Sequence, residues 1–219
     1  TIVNKGALAY MQDDARIKSL ITDLASTDEL TRVRARDTFK TLDMKAAALL
    51  GAALGDPQHN ENYREIQRAI IAMGNVAVEP IIGYLDVTDE SHQARVIEVL
   101  GHLRATRVAD RLVAYAVLES PDSTLGSAAR RSLIQLVKTL PTKRDAMAYL
   151  QLQLNRVLRG DLMLPVDEFN RITLWKYNAE QAIVSPTTHD ARVVSLLLAT
   201  RVSKNLYSLD LANAQYKRQ

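Results

Sequence analysis

The chain contains no cysteine, which excludes disulfides and thiolate chemistry. Aromatic residues make up only 5% of the sequence, although apolar residues together reach 47%. Because most of these apolar residues are Ala, Leu, Val and Ile, the composition favours closely packed helices over an aromatic-lined pocket. A run of about 18 apolar residues is also missing, so we expect no membrane-spanning segment.

No signal-type apolar segment occurs, and the sequence starts at Thr1 instead of Met. We therefore interpret the chain as a fragment of a longer protein, whose targeting information would lie outside it. The cytoplasm and a bacterial envelope both stay open as locations.

Charge is small in total but unevenly distributed. The formal net charge is +3. Residues 121–160 hold seven basic and two acidic side chains, whereas residues 61–120 hold six basic and nine acidic ones. The first stretch is therefore +5 and the second −3, and this asymmetry is the electrostatic feature that indicates a function.

Four segments resemble one another when they are aligned on an arginine. In each, a bulky apolar residue follows the arginine five positions later. The aligned residues are Arg34, Arg68, Arg95 and Arg131, spaced by 34, 27 and 36 residues. Such self-similarity at a period of 20 to 50 residues is typical of helical-repeat proteins.

A second apolar-periodic run follows each of these segments, and a helix-breaking stretch ends each pair. The second runs cover residues 45–54, 76–85, 108–118 and 145–158. Pro cannot continue a helix, while Asp and Ser favour the N-cap of the next one. The pattern predicts four helix pairs over residues 28–160. Because a lone pair cannot bury its apolar face, we expect the pairs to stack into an α-solenoid.

The phrases "VRARDTF", "AMGNVAVEPII" and "ARVIEVLG" resemble the HEAT-repeat family. That resemblance implies stacked helical hairpins and says almost nothing about a ligand. Asp28 and Asp89 each lie six residues before an aligned arginine, Arg34 and Arg95. We expect the aligned arginines and the two aspartates to be structural, with charge-assisted bonds tying neighbouring turns together.

Residues outside the repeats predict a helix at one end and a mixed segment at the other. In residues 1–27, Ile17, Leu20, Ile21 and Leu24 form an apolar stripe that predicts an N-terminal capping helix. Residues 161–219 predict a β-hairpin followed by a helix, whose start we expect at Thr187-x-x-Asp190. "LYSLDLANAQ" in this helix resembles a tetratricopeptide-type segment.

Motifs for catalysis or cofactor binding are missing. The four histidines are scattered, and no phosphate loop, dinucleotide fingerprint or nucleophile elbow occurs. We therefore expect no catalytic residue, no metal and no cofactor.

Eight residues form the candidate partner-binding set. Seven are the basic side chains of the fourth predicted pair, and the eighth is the single tryptophan, which either fills the join to the C-terminal helix or anchors a partner. The set is Arg130, Arg131, Lys138, Lys143, Arg144, Arg156, Arg159 and Trp175.

The leading hypothesis is a non-enzymatic scaffold for protein–protein interaction, in which the concave face of the second helices docks a protein or peptide. A nucleic-acid-binding or DNA-repair protein of the HEAT type is the first alternative, although few stacking aromatics accompany the basic residues. The second alternative, a HEAT-type bilin lyase, depends on fold analogy alone. The partner and the oligomeric state stay open.

Overall fold

The structure is a computed structural model that describes residues 13–211. Helices dominate this part of the chain, and two strands form a small antiparallel sheet. The predicted all-α class with one β-hairpin is therefore confirmed. The helices are α1 (Asp14–Asp23), α2 (Glu29–Phe39), α3 (Met44–Gly55), α4 (Tyr63–Met73), α5 (Asn75–Gly83), α6 (Glu90–His102), α7 (Ala109–Leu118), α8 (Thr124–Val137), α9 (Lys143–Leu158) and α10 (Ala191–Leu211). The strands are β1 (Arg171–Asn178) and β2 (Ile183–Asp190), and short 3-10 turns occupy Pro57–His59, Tyr84–Asp86 and Thr106–Val108.

Side-chain N-caps start most of these helices where the sequence has Asp, Ser or Thr before an apolar run. Each cap oxygen accepts a hydrogen bond from a backbone N–H of the first turn, which otherwise lacks a partner within the helix. Such a cap stabilises a helix by about 1 kcal/mol. The caps are Asp13, Asp28, Asp43, Asp89, Ser123 and Thr142.

The chain divides into two compact units. The first comprises the residues up to Leu103 together with Trp175–Pro186, and the second comprises Arg104–Leu174 together with the residues from Thr187 onward. The outer half of the hairpin therefore belongs to the first unit and its base to the second. The division falls between α6 and α7, the two helices of the third predicted pair.

Helices of the first unit pack in two rows. α2 packs on α4 and α4 on α6, while α1 packs on α3 and α3 on α5. α3 also contacts α4 and α6, which joins the two rows. Fully buried aliphatic side chains fill the space between them, including Leu50, Leu54, Ile66, Ile70 and Ile97.

Helices of the second unit gather around α7, which packs on α8, α9 and α10. The most extensive contact of α8 is with α7, and that of α9 is with α10. The sequence-based pairing of α8 with α9 therefore differs from the dominant packing of these helices. Leu112, Leu133, Leu150 and Val202 lie in the buried core of this unit.

The hairpin confirms the predicted strands, but the predicted helix start at Thr187-x-x-Asp190 is wrong. β2 continues through these residues because their hydroxyls bond to β1. The Thr187 Oγ1 donates to the carbonyl of Leu174 at 3.2 Å, and the hydroxyls of Thr173 and Thr188 lie 3.1 Å apart. Asp190 acts instead as the cap of α10, since its carboxylate accepts the N–H of Arg192 at 2.8 Å.

Within residues 13–211, no helix has the length and apolarity that crossing a membrane requires. The tetratricopeptide-like stretch begins in the last turns of α10, and its residues 212–215 lie outside the described part of the chain.

Candidate functional site

All seven basic residues of the candidate set lie in the second unit, on α8, on α9 and just beyond the ends of these helices. They differ in what they contact. Arg130 is half-buried and donates to the carbonyls of Glu119 at 2.5 Å and Ser120 at 3.1 Å. These carbonyls follow α7, whose C-terminus carries partial negative charge. Arg130 therefore stabilises the end of α7, a role that its sequence position did not reveal.

Three further residues of the set bond to neighbours on their own segment. The Arg131 guanidinium donates to the Ser127 hydroxyl at 2.5 Å. Lys138 ends α8 in the left-handed region, with φ of 69°, and its Nζ donates to the carbonyl of Gln135. Arg156 forms an ion pair with Asp161 at 2.9 Å. Because exposed pairs of this kind contribute little to stability, these contacts mainly fix the orientation of the side chains.

Arg144 and Arg159 are exposed at opposite ends of α9. A separation of 15 residues corresponds to about 22 Å along a helix. Leu152 and Leu158 lie between them and are 57% and 60% exposed. Spacings of 8, 14 and 15 positions place the last three side chains within about 80° of Arg144 around the helix, so all four lie on the same solvent-facing side. We call this set of Arg144, Leu152, Leu158 and Arg159 the α9 face.

Exposed apolar side chains are concentrated in the second unit. Among the described residues, thirteen of the sixteen large apolar side chains that are exposed belong to it. Four of them lie on one side of α10: Val193, Leu196, Leu197 and Tyr207. Neighbouring exposed apolar side chains of this kind are a common feature of interaction surfaces.

The two units also carry opposite net charge. The described residues of the second unit include fourteen Lys and Arg and nine Asp and Glu, a net charge of +5. Those of the first unit include eleven Lys and Arg and sixteen Asp and Glu, a net charge of −5. The net negative charge thus belongs to the first unit and the net positive charge to the second.

No known relative accounts for this surface. Comparisons with protein-family models, with curated proteins and with solved structures found no match to the chain. The function of the chain is therefore inferred from its own residues.

Trp175 lies in the first unit, in the middle of β1, and is half-buried. Its backbone contacts α5 at Gly83, where a Cβ would lie 2.8 Å from the Trp175 carbonyl oxygen and 2.8 Å from Val184. The outer half of the hairpin therefore approaches α5 at a position that lacks a side chain. The structure places Trp175 in a different unit from the basic residues of the candidate set.

The four aligned arginines have different environments, although they occupy equivalent sequence positions. Arg95 donates to the Leu54 carbonyl and to Asn60 Oδ1, both at 2.9 Å, and its guanidinium lies 4.4 Å from the centre of the Tyr63 ring. It thus joins α6 to the end of α3. Arg34 is exposed, and Arg68 is exposed and pairs with Glu65. Arg131 bonds to Ser127 within its own helix.

The two aspartates predicted to be structural are helix caps. Asp28 accepts the backbone N–H and the hydroxyl of Thr31 at 2.9 and 2.6 Å, and these hydrogen bonds lower its pKa. Asp89 accepts the N–H of His92 at 2.6 Å. Their carboxylates bond to the first turn of the helix that each one starts.

A buried polar cluster in the first unit escaped sequence reasoning. The Tyr84 hydroxyl donates to the Ala48 carbonyl at 2.6 Å and accepts the N–H of Val184 at 3.4 Å. The His92 ring lies beside the Tyr84 ring, with centres 5.3 Å apart, and its Nε2 bonds to the Gly51 carbonyl at 2.9 Å. Burial raises the pKa of Tyr84 far above its ordinary value and lowers the pKa of His92.

Two glycines on α3 make room for this cluster. A Cβ on Gly51 would overlap the Tyr84 ring, and one on Gly55 would overlap the His92 ring. The spacing of four residues places both glycines on one side of α3. This Gly-x-x-x-Gly spacing within an alanine-rich helix was the sequence signal for close packing. Among residues 13–211, no group of three His, Cys, Asp or Glu side chains is arranged to hold a metal ion.

Proposed function

We propose that the chain is a non-enzymatic helical-repeat scaffold, similar to HEAT-repeat proteins, whose α9 face docks an acidic amphipathic helix of a partner protein. The observation that carries this proposal is the α9 face itself. Two exposed arginines about 22 Å apart enclose exposed leucines in a unit of net charge +5.

Two features of the packing support the helical-repeat part of the proposal. One is the two-row arrangement of α1 to α6, in which alternate helices pack on one another. The other is a recurring contact in which a side chain of one helix bonds to the end of an earlier helix. Arg95 donates to the carbonyl of Leu54 at the end of α3, and Arg130 donates to those of Glu119 and Ser120 after α7. Repetition of one capping device along the chain is expected of stacked, related units.

The chemistry of the α9 face favours an acidic amphipathic helix as the occupant. When a partner covers leucines that are this exposed, the complex is stabilised by about 25 cal/mol per Å² of apolar surface buried. Glu or Asp near both ends of the partner helix would pair with Arg144 and Arg159 and set its register. A stretch of about 15 residues in helical form spans the distance between them. Recognition by an apolar stripe in this way is a common mode of helix docking.

The test uses the full chain and a designed 18-residue amphipathic helix with glutamates at both ends of a leucine stripe. Fluorescence anisotropy measures its binding at low and moderate salt. We expect binding that weakens with added salt, because the end contacts are ionic. A second peptide, with lysines in place of the glutamates, is expected to bind at least tenfold more weakly.

Variants of the protein locate the binding. The double change Arg144→Glu and Arg159→Glu should lower affinity at least tenfold, and Leu152→Asp should lower it further. Arg34→Glu with Arg64→Glu is the matched control, since it reverses two exposed arginines of the first unit. Equal affinity of the α9 variant and the control would refute the proposal. Tighter binding of single-stranded DNA than of the acidic peptide would favour the nucleic-acid alternative instead.

A further inference from the structure

A pocket of about 680 Å³ lies within the first unit. Its walls come from α1, from the C-terminal half of α3 and the 3-10 turn after it, from the start of α6 and from the tip of the hairpin. The volume falls in the range of pockets that hold small ligands. The polar and aromatic residues that line it include Lys18, Asp56, His59, Asp89, His92 and Tyr177. We call this space the hairpin pocket.

His92 lines this pocket as a neutral ring. Its Nε2 lies 2.9 Å from the Gly51 carbonyl oxygen, which can only accept, so Nε2 carries the proton. Burial lowers the pKa of the ring, so Nδ1 holds a lone pair at neutral pH. Gly55 also lines the pocket, and Nδ1 packs against it at the position that a Cβ would occupy. The ring is 7% exposed, so its orientation is fixed by packing.

Two carboxylates line the pocket together with His92. Asp56 uses Oδ1 to accept the N–H of Gln58 at 2.9 Å, and Asp89 uses Oδ1 to accept that of His92 at 2.6 Å. The second oxygen of each carboxylate is not needed for these caps. The C-terminus of α3 adds the partial negative charge of a helix end. Lys18, on α1, contributes positive charge to the pocket wall.

Tyr177 supplies an aromatic wall. Its ring packs against that of Tyr84, with centres 5.8 Å apart, so the buried cluster supports its position. Cations bind favourably over the face of a tyrosine ring. Ile21, Leu49 and Ala52 line the pocket as well and offer an apolar surface for a carbon chain.

We propose that the hairpin pocket binds a guanidinium or ammonium group carried on a short apolar stem. Two carboxylates, a neutral imidazole and a tyrosine ring match a cationic donor, whereas an anion would meet two carboxylates and a helix C-terminus. The same chemistry is offered by a free small amine and by an arginine or lysine side chain of a peptide. The site lies in the first unit and is independent of the α9 face.

Isothermal titration of the full chain compares n-butylguanidinium with the neutral isostere n-butylurea. The cation should bind and the urea should bind at least tenfold more weakly. A five-residue peptide with a central arginine, compared with its citrulline counterpart, distinguishes the two sources. Tighter binding of the arginine peptide than of n-butylguanidinium would assign the pocket to a basic side chain, and the reverse order to a small amine.

The change Asp89→Asn keeps the helix cap, because Asn caps as well as Asp, but removes one charge. It should weaken binding of n-butylguanidinium about tenfold, as expected for the loss of one charge-assisted hydrogen bond. Asp28→Asn is the matched control, since it makes the same change at the cap of α2, outside the pocket. Lys18→Ala should tighten binding. Equal affinity for the cation and the urea, or equal affinity of the two Asp→Asn variants, would overturn the proposal.

Discussion

Replacing Arg95 by methionine should destabilise the first unit more than the same change at any other aligned arginine. Methionine keeps an unbranched stem of comparable length but loses the guanidinium. Three contacts disappear with it: the hydrogen bond to Leu54, the hydrogen bond to Asn60 and the cation–π contact with Tyr63. Arg34→Met is the control, since Arg34 is exposed in the equivalent sequence position.

The size of the effect follows from these contacts. The bond to Leu54 is partly buried and charge-assisted, and contributes about 1.5 kcal/mol. The more exposed bond to Asn60 and the contact with Tyr63 contribute about 0.5 kcal/mol each. The free energy of unfolding should therefore fall by about 2.5 kcal/mol, whereas Arg34→Met should change it by less than about 0.5 kcal/mol.

Urea unfolding followed by tryptophan fluorescence measures this difference. Trp175 is the single tryptophan of the chain and lies in the first unit, so its emission reports on that unit. With a slope of about 1–3 kcal/mol per M urea, the midpoint of Arg95→Met should fall by about 0.8–2.5 M. Midpoints of the two variants that agree to within about 0.2 M would refute the assigned role of Arg95.

Three further predictions concern the cluster at Tyr84. Tyr84→Phe removes a hydroxyl with two hydrogen bonds and should lower the free energy of unfolding by about 1–2 kcal/mol in the same urea assay; an unchanged midpoint would contradict those bonds. Burial lowers the pKa of His92 below the ordinary value of 6.5 that the ring has in the unfolded chain. As pH falls, the unfolded chain therefore binds a proton at a higher pH than the folded chain does. The first unit should lose stability as pH falls below 6.5. This loss should be smaller in His92→Gln, and an equal pH dependence of the two proteins would contradict it. Gly83→Ala places a Cβ 2.8 Å from the Trp175 carbonyl oxygen. The free energy of unfolding should fall by about 1–3 kcal/mol, and the Trp175 emission should shift to longer wavelength. An unshifted spectrum would argue against the close approach of the hairpin.

Periodicity and capping residues predicted the local structure well. The second apolar runs became α3, α5, α7 and α9, and the predicted hairpin formed with residues 179–182 between its strands. Local signals of this kind succeed because helix caps and side-chain period act within a few residues. The start of α10 was misplaced because the bonds from Thr187 and Thr188 to β1 are made across the hairpin.

Residue roles were harder to predict because they depend on partners distant in sequence. Arg95 and Arg34 occupy the same place in the aligned segments, yet only Arg95 has Asn60 and Tyr63 beside it, because the loop after α3 brings them there. The hairpin pocket combines residues from α1 to the tip of the hairpin, separated by more than 150 positions. The local sequence around His92 and around Tyr177 does not indicate that both side chains line one pocket.

Hydrogen exchange on the complex with the acidic amphipathic peptide would show directly whether the peptide binds at α9. If the α9 face docks this helix, amides of residues 143–159 should exchange at least several-fold more slowly when the peptide is bound, and those of the first unit should not change. Protection confined to the first unit, or unchanged exchange across α9 at saturating peptide, would contradict the account.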